Sequence, residues 1–508
     1  MKMDSLVIFI LSFIFPTFFI IWAVVIRCFA SKRSKNRPPG PTPLPIIGNL
    51  HLLDQQLHKS LAKLAKIHGP IMSLQFGQIS TVVVSSSAFA KQVLQKHHLD
   101  FSSRLMPDAV RAHDHFRYSV AWLPAAGSDW RSLRRIMNSY MFSANRLDSH
   151  RRKISEKVQE LIEYCRKNCE TGKAVDIGQA AFTTSLNLLS DIMFSEDLTD
   201  PSTDSAKEFK DLVWNMMVEA SRPNVVDFFP VLKTFDPQGV RRRMTSHFGR
   251  VLEMFRGLIS DRLTMVKNKE CAGSKRMDVL DDLLDLCKES PMEIDRNLIE
   301  HLFLDLFIAG TDTTSSTLEW AMAELLKNPS TLKTAQAEIK EAIGGRGKQI
   351  EETNLPHLPY LQCIVKETLR MHPPVPIIPR KVDSDVEVCG YVVPAGSQVL
   401  VNAWAVGRDE SVWEDALVFK PERSMECDSF IIRPDRDFEL VPFGAGRRIC
   451  PGFSLAMRII PVALGSMINV FDWKLEDGNE LKEELNMEEK FGITLRKAHP
   501  LRAIPIAI

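Results

Sequence analysis

The chain begins with one long apolar run. Residues 6–26 are interrupted only by Ser12, Pro16 and Thr17, and a helix of this length is about 31 Å long, enough to cross a bilayer. Basic residues follow the run at positions 27–37, whereas Lys2 alone precedes it. Because positively charged flanks stay in the cytosol, the pattern predicts a single membrane anchor with the rest of the chain on the cytosolic side.

Prolines at positions 38–45 then stiffen the exit from this run. Beyond residue 50, no long polar, Gly/Ser-rich or Pro-rich linker divides the sequence. We therefore expect three segments: a transmembrane signal anchor at 1–30, a basic and Pro-rich hinge at 31–50, and one catalytic domain at 51–508.

The pattern beyond the hinge predicts a mainly α fold with a smaller β lobe. Two apolar strands, 71–76 and 81–84, flank a turn at Gly77 and Gln78. Residues 145–290 have the period of successive amphipathic helices, with polar loops near 200–205 and 267–276.

Three further elements are predicted near the end of the chain. A hairpin covers 386–401, and Pro394-Ala395-Gly396 forms its turn. An apolar helix starts at Phe453, and residues 491–495 form a late β turn.

The longest predicted helix covers residues 295–327 and stops at Asn328-Pro329. Its middle, Ala309-Gly310-Thr311-Asp312-Thr313-Thr314, is rich in small and hydroxyl-bearing residues that weaken helix propensity. We expect Gly310 to permit close approach of a ligand, and Thr313 to bond back to a carbonyl and open the helix locally. A kinked core helix with incidental hydroxyls is the alternative.

Composition excludes several classes of protein. With 45% hydrophobic residues, 25% charged residues and a net charge of +1, the chain is globular and has no reason to bind nucleic acid. Its nine cysteines show no zinc-type pairing, which fits a reducing compartment. His113 and His115 lack helical spacing and a third ligand, so we expect exposed loop residues rather than a metal site.

Cys450 differs from the other cysteines in its neighbours. It ends a loop with glycines and with Arg447 and Arg448, and Pro451-Gly452 and an apolar helical run follow. N–H groups at a helix N-terminus, together with cations, favour thiolate over thiol. A thiolate beside arginines suggests a metal cofactor that carries its own carboxylates, as haem does. An ordinary buried core cysteine is the alternative.

Phe443, Gly446, Arg448, Cys450 and Gly452 together resemble the haem-binding loop of cytochrome P450 monooxygenases, Phe-x-x-Gly-x-Arg-x-Cys-x-Gly. The resemblance covers essentially the whole chain. It implies the cytochrome P450 fold, a helix-rich triangular prism, with haem b held by the Cys450 thiolate as axial ligand to iron.

Two other stretches resemble motifs of the same family. Residues 309–314 are similar to its oxygen-activation motif, which implies that Asp312 and Thr313 are catalytic and relay the protons that O–O cleavage consumes. Glu367, Arg370 and Arg423 resemble its structural Glu-Arg-Arg network. Ser424 stands where plant members usually carry Phe, so we expect looser packing there.

The resemblance also implies haem and substrate contacts. Haem contacts are expected from Trp130, Arg134, Arg380, Phe443, Arg448 and Cys450. The substrate pocket is expected to include His113, Phe116, Ala309, Val375, Ile377, Ile378 and Ile493.

Trp130 and Arg134 belong to a helix that Ser128 and Asp129 could cap. They lie four residues apart and can bind one common group, which the resemblance identifies as a haem propionate. Arg131 and Arg135 are predicted to form a solvated basic face where a reductase docks.

The sequence carries no complete nucleotide-binding motif. Gly444-Ala445-Gly446 lacks the third glycine of a dinucleotide loop, and residues 344–348 lack the Ser or Thr of a phosphate loop. Electrons are therefore expected from NADPH through a separate NADPH-cytochrome P450 reductase. We also expect O2, a lipophilic small-molecule substrate, a monomer, and an endoplasmic reticulum membrane location with the catalytic domain facing the cytosol.

Stretches at 58–64, 200–214 and 487–495 resemble plant members of the family that hydroxylate an allylic methyl of an acyclic monoterpenol such as geraniol. The segment from Val375 to Arg380 is one residue shorter than in those members, which affects specificity. The alternatives are hydroxylation of a geranyl side chain on an aromatic compound, or of another terpenoid or xenobiotic. A haem-thiolate isomerase or dehydratase that uses no O2, and a non-catalytic membrane-bound binding protein, are weaker readings.

Overall fold

The fold is seen in a computed structural model, which describes Thr17 and residues 36–199, 204–267, 278–425, 431–476 and 485–508. Apart from Thr17, the anchor predicted at 6–26 lies outside these residues, as does most of the two predicted polar loops. Within the described chain, the α-helices are α1 Leu57–His68, α2 Ser87–Lys91, α3 Ser128–Tyr140, α4 Ala144–Ser149, α5 Arg151–Thr171, α6 Ile177–Phe194, α7 Asp204–Ser221, α8 Val225–Phe228, α9 Val240–Lys267, α10 Val279–Glu289, α11 Arg296–Lys327, α12 Pro329–Ile343, α13 Pro359–Met371, α14 Ala403–Val406, α15 Glu422–Met425 and α16 Phe453–Val470.

The strands are shorter and contain far fewer residues than the helices. They are β1 Ile71–Phe76, β2 Ile79–Val84, β3 Val175–Asp176, β4 Ile377–Lys381, β5 Val386–Val388, β6 Tyr391–Val393, β7 Gln398–Asn402, β8 Phe471–Leu475, β9 Glu489–Lys490, β10 Arg496–Lys497 and β11 Arg502–Ala507. The predicted fold class, mainly α with a smaller β part, is confirmed.

The largest sheet has the strand order β1-β2-β7-β4. β1 and β2 are antiparallel, with Ile71 opposite Val84, so the predicted pair of strands is confirmed. β7 runs parallel to β2 and antiparallel to β4. Since β7 is distant in sequence from β2, only the folded chain reveals this pairing.

The hairpin predicted at 386–401 is wrong in its turn. β5 and β6 pair across Cys389 and Gly390, both of which have positive φ. A two-residue hairpin needs this left-handed backbone, and glycine adopts it without a steric penalty. Pro394-Ala395-Gly396 instead leads the chain into β7 and the large sheet.

A three-stranded sheet of order β3-β11-β8 joins segments that the sequence did not connect. β3 has two residues, and so short a strand carries no period that could be recognised. By pairing with β11, β3 joins the C-terminal strand to the start of α6, where the N–H of Ile177 donates to the carbonyl of Leu501.

The centre of the molecule is α11, which packs along α6. Asp295 caps α11 by accepting a hydrogen bond from the N–H of Leu298, and Asn328 ends it, so its predicted bounds are confirmed. α6 is buried on nearly all sides. The prediction of amphipathic helices throughout 145–290 is therefore wrong for α6, because an enclosed helix has no polar face.

Among the described residues, one helix, Phe453–Val470, is long and apolar enough to cross a membrane, and 72% of it is buried inside the protein. Its residues belong to the largest core cluster, together with residues of α5, α6, α9 and α11. We therefore interpret α16 as a core helix.

A buried acid in α11 makes stability depend on pH. Burial raises the pKa of the Glu319 carboxyl to about 7 from an ordinary 4.5, although the N–H of Leu501 donates to it and opposes the rise. Because the folded state holds this proton more tightly than the unfolded chain does, the contribution of Glu319 to stability falls as pH rises from about 4.5 to about 7.

We predict that Glu319→Gln, which keeps an acceptor oxygen but no charge, becomes more stable relative to the wild type across this pH window. The gain is at most about 1.4 kcal/mol per pKa unit. Thermal unfolding of the haem-loaded protein at several pH values measures it. The exposed Glu341→Gln is the control, and a Glu319→Gln difference that is the same at every pH would contradict the prediction.

Candidate active site

Cys450 lies at the N-terminus of α16, whose N-cap is Gly452. The N–H groups of Gly452 and Phe453 donate to its sulfur. The N–H of Cys450 donates to the carbonyl of Phe443 at 3.0 Å, and the Phe443 ring meets Phe453 edge to face at 4.9 Å. These contacts fix the position of the sulfur.

Burial raises the pKa of the Cys450 thiol, and the helix N–H groups and the guanidinium groups of Arg134 and Arg104 oppose the rise without cancelling it. As expected, the N–H groups and cations around the loop favour the thiolate, but burial has the larger effect. A cation bonded to the sulfur would compensate the buried thiolate.

Buried or half-buried arginines converge near this loop from separate parts of the chain. They are Arg104, Arg134, Arg380 and Arg448. Burial lowers the pKa of all four, to about 10 for Arg104 and about 9 for Arg448. The pKa of Arg380 falls well below its ordinary value through burial and then through repulsion by Arg104 and Arg448. Negatively charged groups bound at this cluster would stabilise the charged arginines.

The described protein supplies mostly neutral acceptors to this cluster. Arg448 donates to the carbonyls of Val120 and Ala121, each at 3.2 Å, and to those of Ser102 and Leu123. Carbonyl dipoles satisfy N–H donors without neutralising a charge. The positive excess therefore remains, and two carboxylates would match it.

Sequence reasoning missed Arg104. Its Nη1 donates to the Ala121 carbonyl at 3.1 Å, its Nε has no hydrogen-bond partner in the described chain, and both Asp305 and Cys450 act on its charge. The available signal was its position shortly before His113 and Phe116, which were predicted to line the substrate pocket.

Trp130 lies among three guanidinium groups. Those of Arg134, Arg447 and Arg448 are 5.7, 5.5 and 5.4 Å from its ring centroid, so the structure brings the predicted pair of Trp130 and Arg134 together with Arg448. The indole N–H donates to the Val120 carbonyl at 3.0 Å.

The predicted cap of α3 is wrong by one residue. The N-cap is Gly127, and Ser128 is the first residue of the helix. The Ser128 hydroxyl donates to the Asp129 carboxylate and does not cap the helix. Arg131 and Arg135 are exposed, as predicted, and Arg135 pairs with Glu293 at 2.7 Å.

One face of α11 is accessible although most of the helix is buried. Asp305, Ile308, Ala309 and Thr313 keep accessible surface, and their spacing places them on a single face. This face carries the predicted residues Ala309 and Thr313.

One expectation for this stretch is wrong. The Thr313 hydroxyl donates to the Ala309 carbonyl at 2.7 Å as predicted, but α11 stays α-helical throughout and does not open. A Cβ on Gly310 would lie 2.7 Å from Cδ1 of Leu189. Gly310 therefore serves the close packing of α11 against α6, and its role in the approach of a ligand stays a prediction.

Asp312 is fully buried and faces away from the accessible face. Its one recorded ion-pair partner among the described residues is Arg496 of β10. Sequence reasoning assigned Arg496 no role, because the two residues meet only in the tertiary fold.

Glu367, Arg370 and Arg423 form one buried network. Both Glu367 oxygens accept from Arg370 at 2.8 Å, and Arg423 donates to Glu367 at 3.0 Å. Arg370 also donates to the carbonyls of Gly407 and Ala416. The network thus ties α13 to the segment before the Cys450 loop and not to the loop itself. Ser424 is enclosed on α15, and looser packing there stays a prediction.

The predicted pocket residues His113 and Phe116 lie in different surroundings. His113 is exposed, and its Nε2 is 2.9 Å from the Thr245 carbonyl on α9. The loop turns at His113, where φ is positive, so the pocket prediction for this residue is wrong. Phe116 is half-buried near the guanidinium groups of Arg111 and Arg117, at 5.3 and 5.5 Å, and its pocket role stays a prediction.

His115, predicted to be exposed, is buried instead. Its Nδ1 is 3.0 Å from Nδ1 of His301, and its Nε2 is 3.1 Å from Asp305. Asp305 also accepts from the Ser119 hydroxyl and the Val120 N–H, each at 2.8 Å. This network fastens the 105–123 loop to α11. No cluster that could hold a metal ion occurs among the described residues.

Ile377 and Ile378 point to opposite faces of β4, so they cannot line the same wall. Ile378 belongs to the core cluster that contains Val441 and Ala445 of the Cys450 loop. Ile377 packs against a different cluster, built around Leu61 and Met72.

Arg380 shares the Ile378 face. Its Nη2 would be 3.7 Å from a Cβ on Gly444, so β4 delivers this guanidinium to the Cys450 loop. Val375 precedes the strand and is half-buried.

The β9–β10 hairpin is held against α11, and the predicted late turn is confirmed. The Leu495 carbonyl accepts from the Ser316 hydroxyl at 2.7 Å, and the Leu495 N–H donates to the Pro374 carbonyl at 2.8 Å. These bonds bring Ile493, which is half-buried, toward α11 and toward the segment that holds Val375.

A family model described as Cytochrome P450 matches residues 38–500, and the chain belongs to this family. It is a monooxygenase. The chain is 64% identical to geraniol 8-hydroxylase of Catharanthus roseus over 478 residues, 94% of this chain and 95% of that protein. It is 63% identical to geraniol 8-hydroxylase of Swertia mussotii over 477 residues, 94% of each. Geranylhydroquinone 3''-hydroxylase of Arnebia euchroma is 52% identical over 481 residues, 94% of this chain and 95% of that protein.

The family's cofactor is a haem with a cysteine thiolate ligand, reduced by a redox partner. The site fits this group. It offers a fixed cysteine sulfur, the accessible face of α11, and a buried excess of guanidinium charge that includes the unpartnered Nε of Arg104.

We predict that Gly446→Ala disrupts the Cys450 loop. Gly446 has a φ of +66°, and a Cβ would lie 2.1 Å from the Leu94 carbonyl oxygen. Left-handed backbone alone costs about 1–3 kcal/mol, and the clash with backbone adds to it. Thermal unfolding and the haem content of the purified protein measure the effect.

The matched control is Gly257→Ala in α9, where nothing lies within 4 Å of the new Cβ. Alanine there should stabilise the helix by about 0.5–1 kcal/mol. If Gly446→Ala binds haem and unfolds as the wild type does, the packing argument is wrong.

Proposed function

We propose that Cys450 is the axial ligand of the haem iron and that Trp130, Arg134, Arg380 and Arg448, together with Arg104, hold the haem propionates. The observation that carries this proposal is the buried, uncompensated guanidinium charge beside one helix-capped cysteine. Phe443 holds the Cys450 loop against α16 through its contact with Phe453. Glu367, Arg370 and Arg423 keep the preceding segment in place.

When bound, the haem thiolate supplies the activation of O2 and the transfer of one oxygen atom to carbon. The chain's own residues handle protons and position. Thr313 presents its hydroxyl on the accessible face of α11, where it can pass a proton, and Asp312 lies in the same turn as the acid that resupplies it. The loop at 105–123, fastened by Asp305, excludes bulk water from this space.

The proposed reaction is NADPH- and O2-dependent hydroxylation of an allylic methyl of an acyclic monoterpenol, namely 8-hydroxylation of geraniol. Relatives that are 63–64% identical over nearly the whole chain carry this activity in their names. Ala309, Val375 and Ile493 offer small and aliphatic side chains around the accessible face, which suits a branched hydrocarbon chain.

Hydroxylation of a geranyl side chain on a hydroquinone is the second candidate. A relative named for that reaction is 52% identical. The segment from Val375 to Arg380 bears on this choice, because the expected loss of one residue there would shift side chains by up to about 3.3 Å.

Membrane attachment and the electron donor also belong to the proposal. The apolar run at 6–26 and the basic flank after it support a single-pass anchor in the endoplasmic reticulum with the catalytic domain in the cytosol. The exposed Arg131 supports docking of an acidic NADPH-cytochrome P450 reductase. We propose that the catalytic unit is a monomer.

The ligand assignment has a spectroscopic test. We predict that the reduced, CO-bound protein shows the red-shifted Soret band of thiolate ligation and that Cys450→Ala loses both the band and turnover, because no other sulfur replaces it. Cys287→Ala on α10 is the control and should keep both. NADPH-dependent oxidation by Cys450→Ala at the wild-type rate would refute the assignment.

The substrate is tested with membranes that contain the full chain and a reductase. Incubated in turn with geraniol, nerol and a geranylated hydroquinone, they are expected to convert geraniol to its 8-hydroxy product, identified by mass spectrometry and NMR. Omitting NADPH is the control. Conversion of the hydroquinone alone would support the second candidate, and a product oxidised elsewhere than the allylic methyl would refute the first.

A further inference from the structure

The acid of the oxygen-activation stretch has an unusual environment. Asp312 is 0% exposed, and neither of its carboxylate oxygens has a hydrogen-bond partner in the described chain. Among the described residues, Asp312 forms an ion pair with Arg496. A buried carboxylate without donors is costly unless a cation compensates it, so the state of Asp312 depends on Arg496.

Arg496 is itself held from the other side. Its guanidinium lies 4.2 Å from the ring centroid of Trp214 on α7, and its side chain is 14% exposed. Lys490 of β9 lies 4.9 Å from the same ring. Trp214 thus contacts two of the three cations of the β9–β10 hairpin, Lys490 and Arg496, and Arg496 bridges α7 and α11.

The hairpin is anchored at both ends. Leu495, next to Arg496, is bonded through its backbone to Ser316 and Pro374. At the base, Glu489 accepts from His58 at 3.1 Å and from Trp404 at 3.0 Å. These bonds fix the backbone of the hairpin, so Arg496 is held beside Asp312.

Arg496 keeps its charge at neutral pH even though burial works against it. Burial lowers the pKa of Arg496 to about 10, and Asp211 of α7 opposes the fall, so the guanidinium stays protonated at neutral pH. Lys490 of β9 and Lys210 of α7 add positive charge on the same side. This surrounding charge favours the ionised carboxylate of Asp312.

We propose that Arg496 is the positioning residue of Asp312: its charge compensates the buried carboxylate and fixes the position of that carboxylate beside α11, and Trp214 holds Arg496 in turn. This rests on the proposed monooxygenase function, in which the Asp312 carboxylate accepts a proton from solvent water and passes it to Thr313 after Thr313 has given up its own. It adds a residue outside the α11 motif to proton delivery. It also links that step to α7 and to the hairpin that carries Ile493.

The test compares Arg496→Gln, Arg496→Lys, Asp312→Asn and the Arg496→Gln/Asp312→Asn double variant, all as full-length haem-loaded protein with reductase. NADPH consumption, product and hydrogen peroxide are measured together. Arg496→Gln is expected to slow product formation by up to about 10²-fold, the size of effect seen when a catalytic group is misplaced by about 1 Å. More of the NADPH electrons should then end in peroxide. Arg496→Lys, which keeps the charge, is expected to recover part of the coupling.

Thermal unfolding of the same four proteins gives a readout that does not depend on turnover. Arg496→Gln should lower the melting temperature in the Asp312 background, where it leaves a buried charge unpaired, and lower it much less in the Asp312→Asn background. The surface variant Arg502→Gln, which removes the exposed pair with Glu476, is the matched control. Arg502→Gln should leave the coupling of NADPH to product unchanged. Its effect on the melting temperature should be the same with Asp312 as with Asn at position 312.

Wild-type coupling in Arg496→Gln, or equal losses of melting temperature in both Asp312 backgrounds, would overturn the proposal. Failure of the underlying function would look different. In that case the wild type itself would lack the thiolate-type CO spectrum and form no product, whereas failure of the Arg496 proposal leaves both intact.

Discussion

The structure depends on an imbalance of charge around Cys450. Arg104, Arg134, Arg380 and Arg448 are drawn into one partly dry region, where burial and mutual repulsion work against their charged forms. Backbone carbonyls satisfy their N–H groups but cannot cancel their charge. The same burial raises the pKa of the Cys450 thiol. Both costs are removed by a single ligand that presents a metal cation to the sulfur and carboxylates to the arginines, which is why the site suits a haem.

The helix α11 resolves a second conflict, between packing and access. It must be buried to organise the core, and one face must stay open to the reaction space. Gly310 allows the close packing against Leu189 of α6, while Asp305, Ala309 and Thr313 keep accessible surface on the other side. Asp312, buried between these two faces, cannot be stabilised by α11 alone and takes its partner from β10. Packing and proton delivery therefore share one helix but use different faces of it.

Much of the architecture could be predicted from local pattern. The bounds of α11 followed from Asp295 as its cap and Asn328-Pro329 as its stop, and β1 and β2 followed from two apolar runs with a turn between them, because these signals act within a few residues. Local pattern did not predict the elements whose structure depends on contacts with distant segments of the chain. α6 loses its polar face because other helices enclose it, and β3 exists only because β11 pairs with it.

The candidate site divides along the same line. The sequence by itself determined the chemistry, since Cys450 in its loop and the 309–314 stretch place specific residue types at short spacing and together match two motifs of the cytochrome P450 family. The tertiary structure alone decided the surroundings. It placed Arg104 beside the cysteine and Arg496 on Asp312, it turned His113 outward and His115 inward, and it separated Ile377 from Ile378. The physical reason is that covalent spacing sets which groups are neighbours along a loop or helix, whereas burial and the balance of charge depend on segments that meet only when the chain has folded.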